Sequence, residues 1–136
     1  MHAIPVGAKG SFTLLVGPEH LANRFKDAML PPVLATPIMV LVMENAALNA
    51  VRAYLELGES ALGTLVDVRH LAATPVGQHV TAEAEVTELD GRRIVFAVTA
   101  HDEVEEIGRG IHERMVVDLH RLTQRLDGKH SRRSTP

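Results

Sequence analysis

Three side chains sit where an apolar core has no use for them: Glu44, His70 and Thr36. Glu44 follows the apolar run Ile38 to Met43 on what reads as a single helix, and carboxylates are almost never fully buried without a partner. Two readings compete for it. One is an interface salt bridge. The other is a carboxylate at a pocket edge, where burial tends to raise a pKa and suits the group to act as base or nucleophile. His70 shares a strand face with Val66 and Val68, just ahead of Thr74, Pro75 and Gly77, so its face ends at a turn. A lone histidine there is also compatible with a hydrogen-bonded core residue. Thr36 precedes Pro37 and reads as a helix cap, a position where backbone donors also favour an anion. The other histidines (His2, His20, His79, His101, His112, His120 and His130) show no His-x-x-x-His or His-Glu-x-x-His spacing, so no metal site is expected. Alternation puts His112 and Arg114 on one strand face with Glu113 opposite, which reads as a solvated edge or a dimer contact. Phosphate loops and dinucleotide fingerprints are absent, and Gly58-Glu-Ser60 lacks the frame of a serine elbow.

The elements that must position these groups follow from periodicity. Phe12 to Val16 reads as a first strand stopped by Gly17-Pro18, and Glu19 to Met29 as a short helix or lid ended by Pro31-Pro32. A long helix is expected from Thr36 to about Leu55. Asn45, Asn49, Arg52 and Glu56 form its one narrow wet stripe, with Glu44 well off that stripe among Val40, Leu41, Ala47 and Leu48. A helix so apolar needs wrapping by a curved sheet. Leu62 to Ala73 supplies one strand, with Leu62, Thr64, Val66, Val68 and His70 on one face. Val80 to Val86 and Arg93 to Ala100 alternate about a turn at Asp90-Gly91. A last strand covers Ile107 to Val117, where Gly108 and Gly110 permit close approach. Leu119, Leu122 and Leu126 suggest a short terminal helix. The expected layout is α+β: one domain over residues 1–127, a long central helix wrapped by a curved antiparallel sheet of about five strands, and a flexible tail over 128–136.

Composition bounds the function. The 136 residues carry 14 Lys or Arg, 17 Asp or Glu and no Cys, for a net charge of -3. That gives no electrostatic reason to bind nucleic acid or anionic lipid, and it removes disulfides and thiolate chemistry. The longest apolar run, six residues, is far below the roughly 20 of a membrane span, so a cytoplasmic protein is expected. Aromatic residues are only 3%, too few for a stacking platform.

Whole words of sequence then carry a resemblance. Ala35-Thr-Pro-Ile-Met-Val-Leu-Val-Met-Glu-Asn-Ala46, Gly58-Glu-Ser-Ala-Leu-Gly-Thr64, Val68-Arg-His-Leu-Ala-Ala-Thr-Pro-Val-Gly77, Asp90-Gly-Arg92, Ala100-His-Asp102 and Glu106-Ile-Gly-Arg-Gly-Ile-His-Glu-Arg114 resemble the hotdog-fold acyl-CoA thioesterases, and most nearly the bacterial fluoroacetyl-CoA thioesterase branch. The resemblance spans about Phe12 to Val117. It implies a hotdog fold and a homodimer, with pairing into tetramers open, whose sites lie at the subunit interface and hydrolyse acyl-CoA with neither metal nor cofactor. It implies further that Glu44 activates water or attacks the thioester, Thr36 joins the same network and His70 relays a proton. Gly63 offers a backbone amide to the carbonyl, Arg114 supports the site, and Leu30 and Leu34 meet the acyl group. In the fluoroacetyl-selective branch the segment before the threonine supplies phenylalanines to an apolar lid. Met29 to Ala35 has none here, so hydrolysis of small acyl groups in general is the expectation. An enoyl-CoA hydratase on the same architecture would place an aspartate and a histidine around the central helix, and this helix has neither. A non-catalytic acyl-CoA-binding protein would keep the pocket but has no need of Glu44, His70 and Thr36 together.

Overall fold

In a computed structural model of the protein, which describes residues 1–133, one antiparallel sheet curls around one long helix. Strand β1 (Lys9–Leu15) is followed by a 3-10 turn at Pro18–His20 and a short helix α1 (Ala22–Phe25). Helix α2 (Thr36–Val51) comes next, closed by a 3-10 turn at Arg52–Tyr54. Strands β2 (Glu59–His70), β3 (His79–Asp90), β4 (Arg93–His101) and β5 (Glu106–Asp118) lead into helix α3 (Leu119–Arg132). The strand order is β1-β3-β4-β5-β2, which leaves β1 and β2 as edges. This is the hotdog arrangement.

The buried half of α2 is Ile38, Met39, Val42, Met43, Ala46, Ala47, Ala50 and Val51. It packs on the inward residues of β3 (Val80, Ala82, Ala84, Val86) and β4 (Ile94, Phe96, Val98, Ala100), the faces that alternation predicts. The hairpin between β3 and β4 turns through Gly91-Arg92, flanked by the Asp90–Arg93 pair, with Gly91 at φ +60°. The alanines of α2 let β1 approach closely: a Cβ at Gly10 would run into the backbone of Ala46 and Ala50. Gly10→Ala is therefore expected to cost about 1–3 kcal/mol, since neither backbone can yield cheaply. Gly128→Ala, inside α3 with nothing near its Cβ, should instead stabilise slightly. Thermal unfolding of the two variants checks both signs.

Several local expectations change. The first strand starts at Lys9, earlier than Phe12. The open face of α2 is wider than one polar stripe: Thr36, Pro37, Leu41 and Asn49 are exposed, as is Arg52 just past its end, and Val40, Glu44, Asn45 and Leu48 are half-buried. Helix α3, capped by the Asp118 side chain accepting from the Arg121 N–H at 2.9 Å, continues through Gly128 to Arg132. The tail expected over 128–136 is thus helical in its first part. Residues 134–136 lie outside the described residues.

The largest correction is in β2. Gly63 pairs with Arg114 and Val66 with His112, while the register slips between Gly63 and Leu65. Because His112 and Arg114 are two residues apart, their partners share a face, so Gly63 and Val66 share one across a β-bulge. Strict alternation put Leu62 and Thr64 on the face of His70. The bulge puts Gly63 there instead.

Candidate active site

Thr36 and His70 meet directly. Thr36 is the first residue of α2 and Ala35 holds the capping position, with no side-chain cap bond. The hydroxyl is therefore free for another partner, and Thr36 Oγ1 lies 2.8 Å from His70 Nδ1, a contact between the start of α2 and the end of β2. Burial lowers the His70 pKa against a smaller opposing contribution from the Ala72 backbone, which favours the neutral ring able to accept a proton. Its Nε2 is buried with no hydrogen-bond partner among the described residues, unusual for a polar atom that is structural only. Beside the pair opens a groove of about 470 Å³, and Leu30, Leu34, Thr36 and His70 all line it. A depression of about 510 Å³ on the far face of β1, β3 and β4 holds none of these residues.

Glu44 belongs to a second group. Its Oε2 lies 3.4 Å from Arg114 Nη1, and Arg114 also donates from Nε (3.1 Å) and Nη2 (2.7 Å) to the Ala61 carbonyl. A Cβ at Gly63 would come within 2.9 Å of Glu44 Oε2, so a glycine leaves room for the carboxylate. Glu44 is not sunk among apolar neighbours as its spacing suggested. Its side chain is 37% exposed and its partner is a guanidinium.

The structure thus unites Thr36, His70, Leu30 and Leu34 at one place and Glu44, Gly63 and Arg114 at another. Thr36 and Glu44 are eight residues apart, about 12 Å along a helix axis. Gly63 and His70 are separated by roughly 20 Å of strand. No hydrogen bond joins the two groups among the described residues.

His112 and Arg114 do not form a solvated edge. They are 1% and 6% exposed, while Glu113 turns outward to Arg93 at 2.6 Å. The signal was present in the sequence, because the alternation that groups them also places them with Gly108, Gly110 and Val116 under the helix. Burial lowers the His112 pKa as well, with Arg114 reinforcing the shift and the Leu65 carbonyl, Glu44 and Glu113 opposing it. Among the described residues no group of three His, Asp or Glu side chains is placed to hold a metal.

These two rings make stability depend on pH. The unfolded chain protonates histidine near 6.5, whereas the folded chain resists until lower pH. The unfolded state then binds more protons just below that value, and stability falls as pH falls. The lowered carboxylates Glu59, Asp102, Glu106 and Asp118 lose their contribution only as pH falls through and below their ordinary values of 3.8–4.5. A drop in Tm between pH 7 and 5 is therefore expected from His70 and His112. A flat Tm across that window would contradict it.

Known proteins are similar to this chain along most of its length. Residues 16–120 match the family described as fluoroacetyl-CoA-specific thioesterase. The fluoroacetyl-CoA thioesterase of Streptantibioticus cattleyicolor is 47% identical over 102 residues, covering 75% of this chain and 73% of that protein. A solved structure of the fluoroacetyl-CoA thioesterase FlK is 39% identical with a TM-score of 0.88, over 98% of this chain and 99% of that one. A Thermus thermophilus hypothetical protein described as a thioesterase superfamily member is 32% identical with a TM-score of 0.87, over 98% and 100% of the two chains. On this coverage and identity the chain belongs to the fluoroacetyl-CoA-specific thioesterase family.

Proposed function

We propose that this protein hydrolyses small acyl-CoA thioesters to the free acid and CoA, at sites each completed by two chains. The observation that carries this is that the Thr36–His70 contact, at the end of edge strand β2, and the Glu44–Arg114 contact, beside Gly63 nearer its middle, lie apart with no hydrogen bond between them among the described residues. Strand β2 has no neighbour on one side, and Leu41, Leu62, Leu65 and Val66 near it are 41–45% exposed. An uncovered apolar edge invites a second strand. Antiparallel pairing of β2 with a second copy about a two-fold axis near Val66 sets Gly63 opposite the partner's His70. Glu44 then faces the partner's Thr36–His70 pair. Sedimentation should accordingly give at least twice 14.8 kDa.

The chemistry follows from the groups so assembled. Glu44 uses Oε2 toward Arg114, while Oε1 makes no hydrogen bond among the described residues and is free to take a proton from water. That water adds to the thioester carbonyl carbon, and the Gly63 amide faces the developing oxyanion. The C–S bond then breaks, the proton that Glu44 took from water passes through the Thr36–His70 pair to the departing CoA sulfur, and Glu44 is left as the carboxylate again. Leu30 and Leu34 bound the acyl pocket.

An acyl-CoA panel read by thiol release tests the reading. Acetyl, fluoroacetyl and short branched thioesters should turn over, and no turnover on any would leave only a binding protein. With no phenylalanine between Met29 and Ala35, the fluoroacetyl to acetyl ratio of kcat/KM should stay near that of hydroxide-driven hydrolysis. An excess above about 10³, or roughly 4 kcal/mol of selective stabilisation, would mean that other residues build the selective pocket.

A further inference from the structure

Behind Glu44 lies a chain of hydrogen bonds whose polarity is fixed by the groups in it. His112 Nδ1 is 2.8 Å from the Leu65 carbonyl oxygen, which can only accept, so Nδ1 carries a proton. His112 Nε2 is 3.1 Å from Arg114 Nη1, which can only donate, so Nε2 carries none. His112 is therefore the neutral tautomer with its proton on Nδ1. Its ring is buried and stacked on Phe96 at 5.8 Å between centroids, and both ring nitrogens are engaged. The two protons of Arg114 Nη1 go to His112 and Glu44, while Nε and Nη2 hold the Ala61 carbonyl. Remove His112 Nε2, and the guanidinium loses the acceptor that fixes Nη1 beside the carboxylate.

We propose that His112 is a positioning residue for hydrolysis, a fixed acceptor that holds the Arg114 guanidinium against Glu44 without itself exchanging a proton with substrate. The inference rests on the reading of Glu44 as the acting carboxylate. It has a pH consequence. Protonation of Nε2 would turn the acceptor into a donor facing Arg114 Nη1 and push that nitrogen from its place beside Glu44, while Nε and Nη2 stay on the Ala61 carbonyl. The charged groups about the ring are Arg114 and Glu113 on its own strand and Glu44 on α2. From β2 the ring meets the Leu65 carbonyl and from β4 the Phe96 ring, and among the described residues no charged side chain of either strand acts on it.

Two polar replacements separate this role from packing. In His112→Gln the side-chain oxygen can take the place of Nε2 and accept from Arg114. In His112→Asn the shorter amide can satisfy the Leu65 carbonyl but falls short of the guanidinium. The expected result is kcat within about threefold of the parent for Gln and lower by at least tenfold for Asn, with KM unchanged in both. The acid limb of the kcat profile should also lose one ionisation in His112→Gln. Equal kcat in the two variants, or a loss confined to KM, would overturn the proposal. Should Glu44→Gln abolish turnover while His112→Asn keeps it, this inference alone fails. If Glu44→Gln is active, the reading beneath it fails instead.

Discussion

Glu44→Gln is expected to lower kcat by about 10²–10⁴, the scale of a lost general base, while thermal stability and acyl-CoA affinity change little. The amide keeps the size of the side chain, and its oxygen can still accept from Arg114 Nη1, 3.4 Å away in the parent. What it loses is the ability to take a proton from water. The change leaves no large cavity, and because the Glu44 side chain is 37% exposed, the counter-charge that the buried Arg114 guanidinium loses is one that solvent already screens in part, with the amide oxygen keeping the hydrogen bond. The measurement is kcat beside equilibrium binding of a non-hydrolysable acyl-CoA. Turnover within about threefold of the parent, with binding intact, would make Glu44 a structural partner of Arg114.

The second large effect is a recovery. His70→Ala removes the ring that Thr36 Oγ1 meets at 2.8 Å, and alone it too should lose most activity. If each site takes Glu44 from one chain and Thr36–His70 from the other, a mixed dimer of Glu44→Gln and His70→Ala chains holds one doubly damaged site and one intact site. Random reassortment makes about half the dimers mixed, so activity should return from near zero to about a quarter of the parent. Sites confined within single chains would give no recovery, because every chain carries a lesion. The separation of about 12 Å along α2 between Thr36 and Glu44 makes recovery the expected outcome. Refolding the two inactive variants together and assaying thiol release decides it.

The elements that position these groups were legible to different degrees. Helix α2 announced itself through Pro37 and a long run without a polar side, and β3 and β4 through alternation about Asp90-Gly91, because each signal is contained in a few consecutive residues. Strand β2 was legible as a strand but not in its facing. A single slip between Gly63 and Leu65 inverts the side on which every earlier residue lies. The length of α3 was underestimated for a related reason. Its polar residues and Gly128 argue against a helix locally, while the Asp118 cap fixes only where it begins.

The sequence by itself determined the fold class, the family and the residue types available for chemistry, Glu44, His70, Thr36, Gly63 and Arg114 among them. These depend on local periodicity and on words of neighbouring residues. Tertiary structure decided which of them meet. Thr36 finds His70 across 34 residues, and Glu44 finds Arg114 across 70. The burial of His112 and the room that Gly63 leaves for Glu44 belong to the same level. Such contacts depend on strand register, on the bulge in β2 and on where α2 crosses the sheet. No short window of sequence encodes a distance between two elements, because that distance is set by the packing of everything between them.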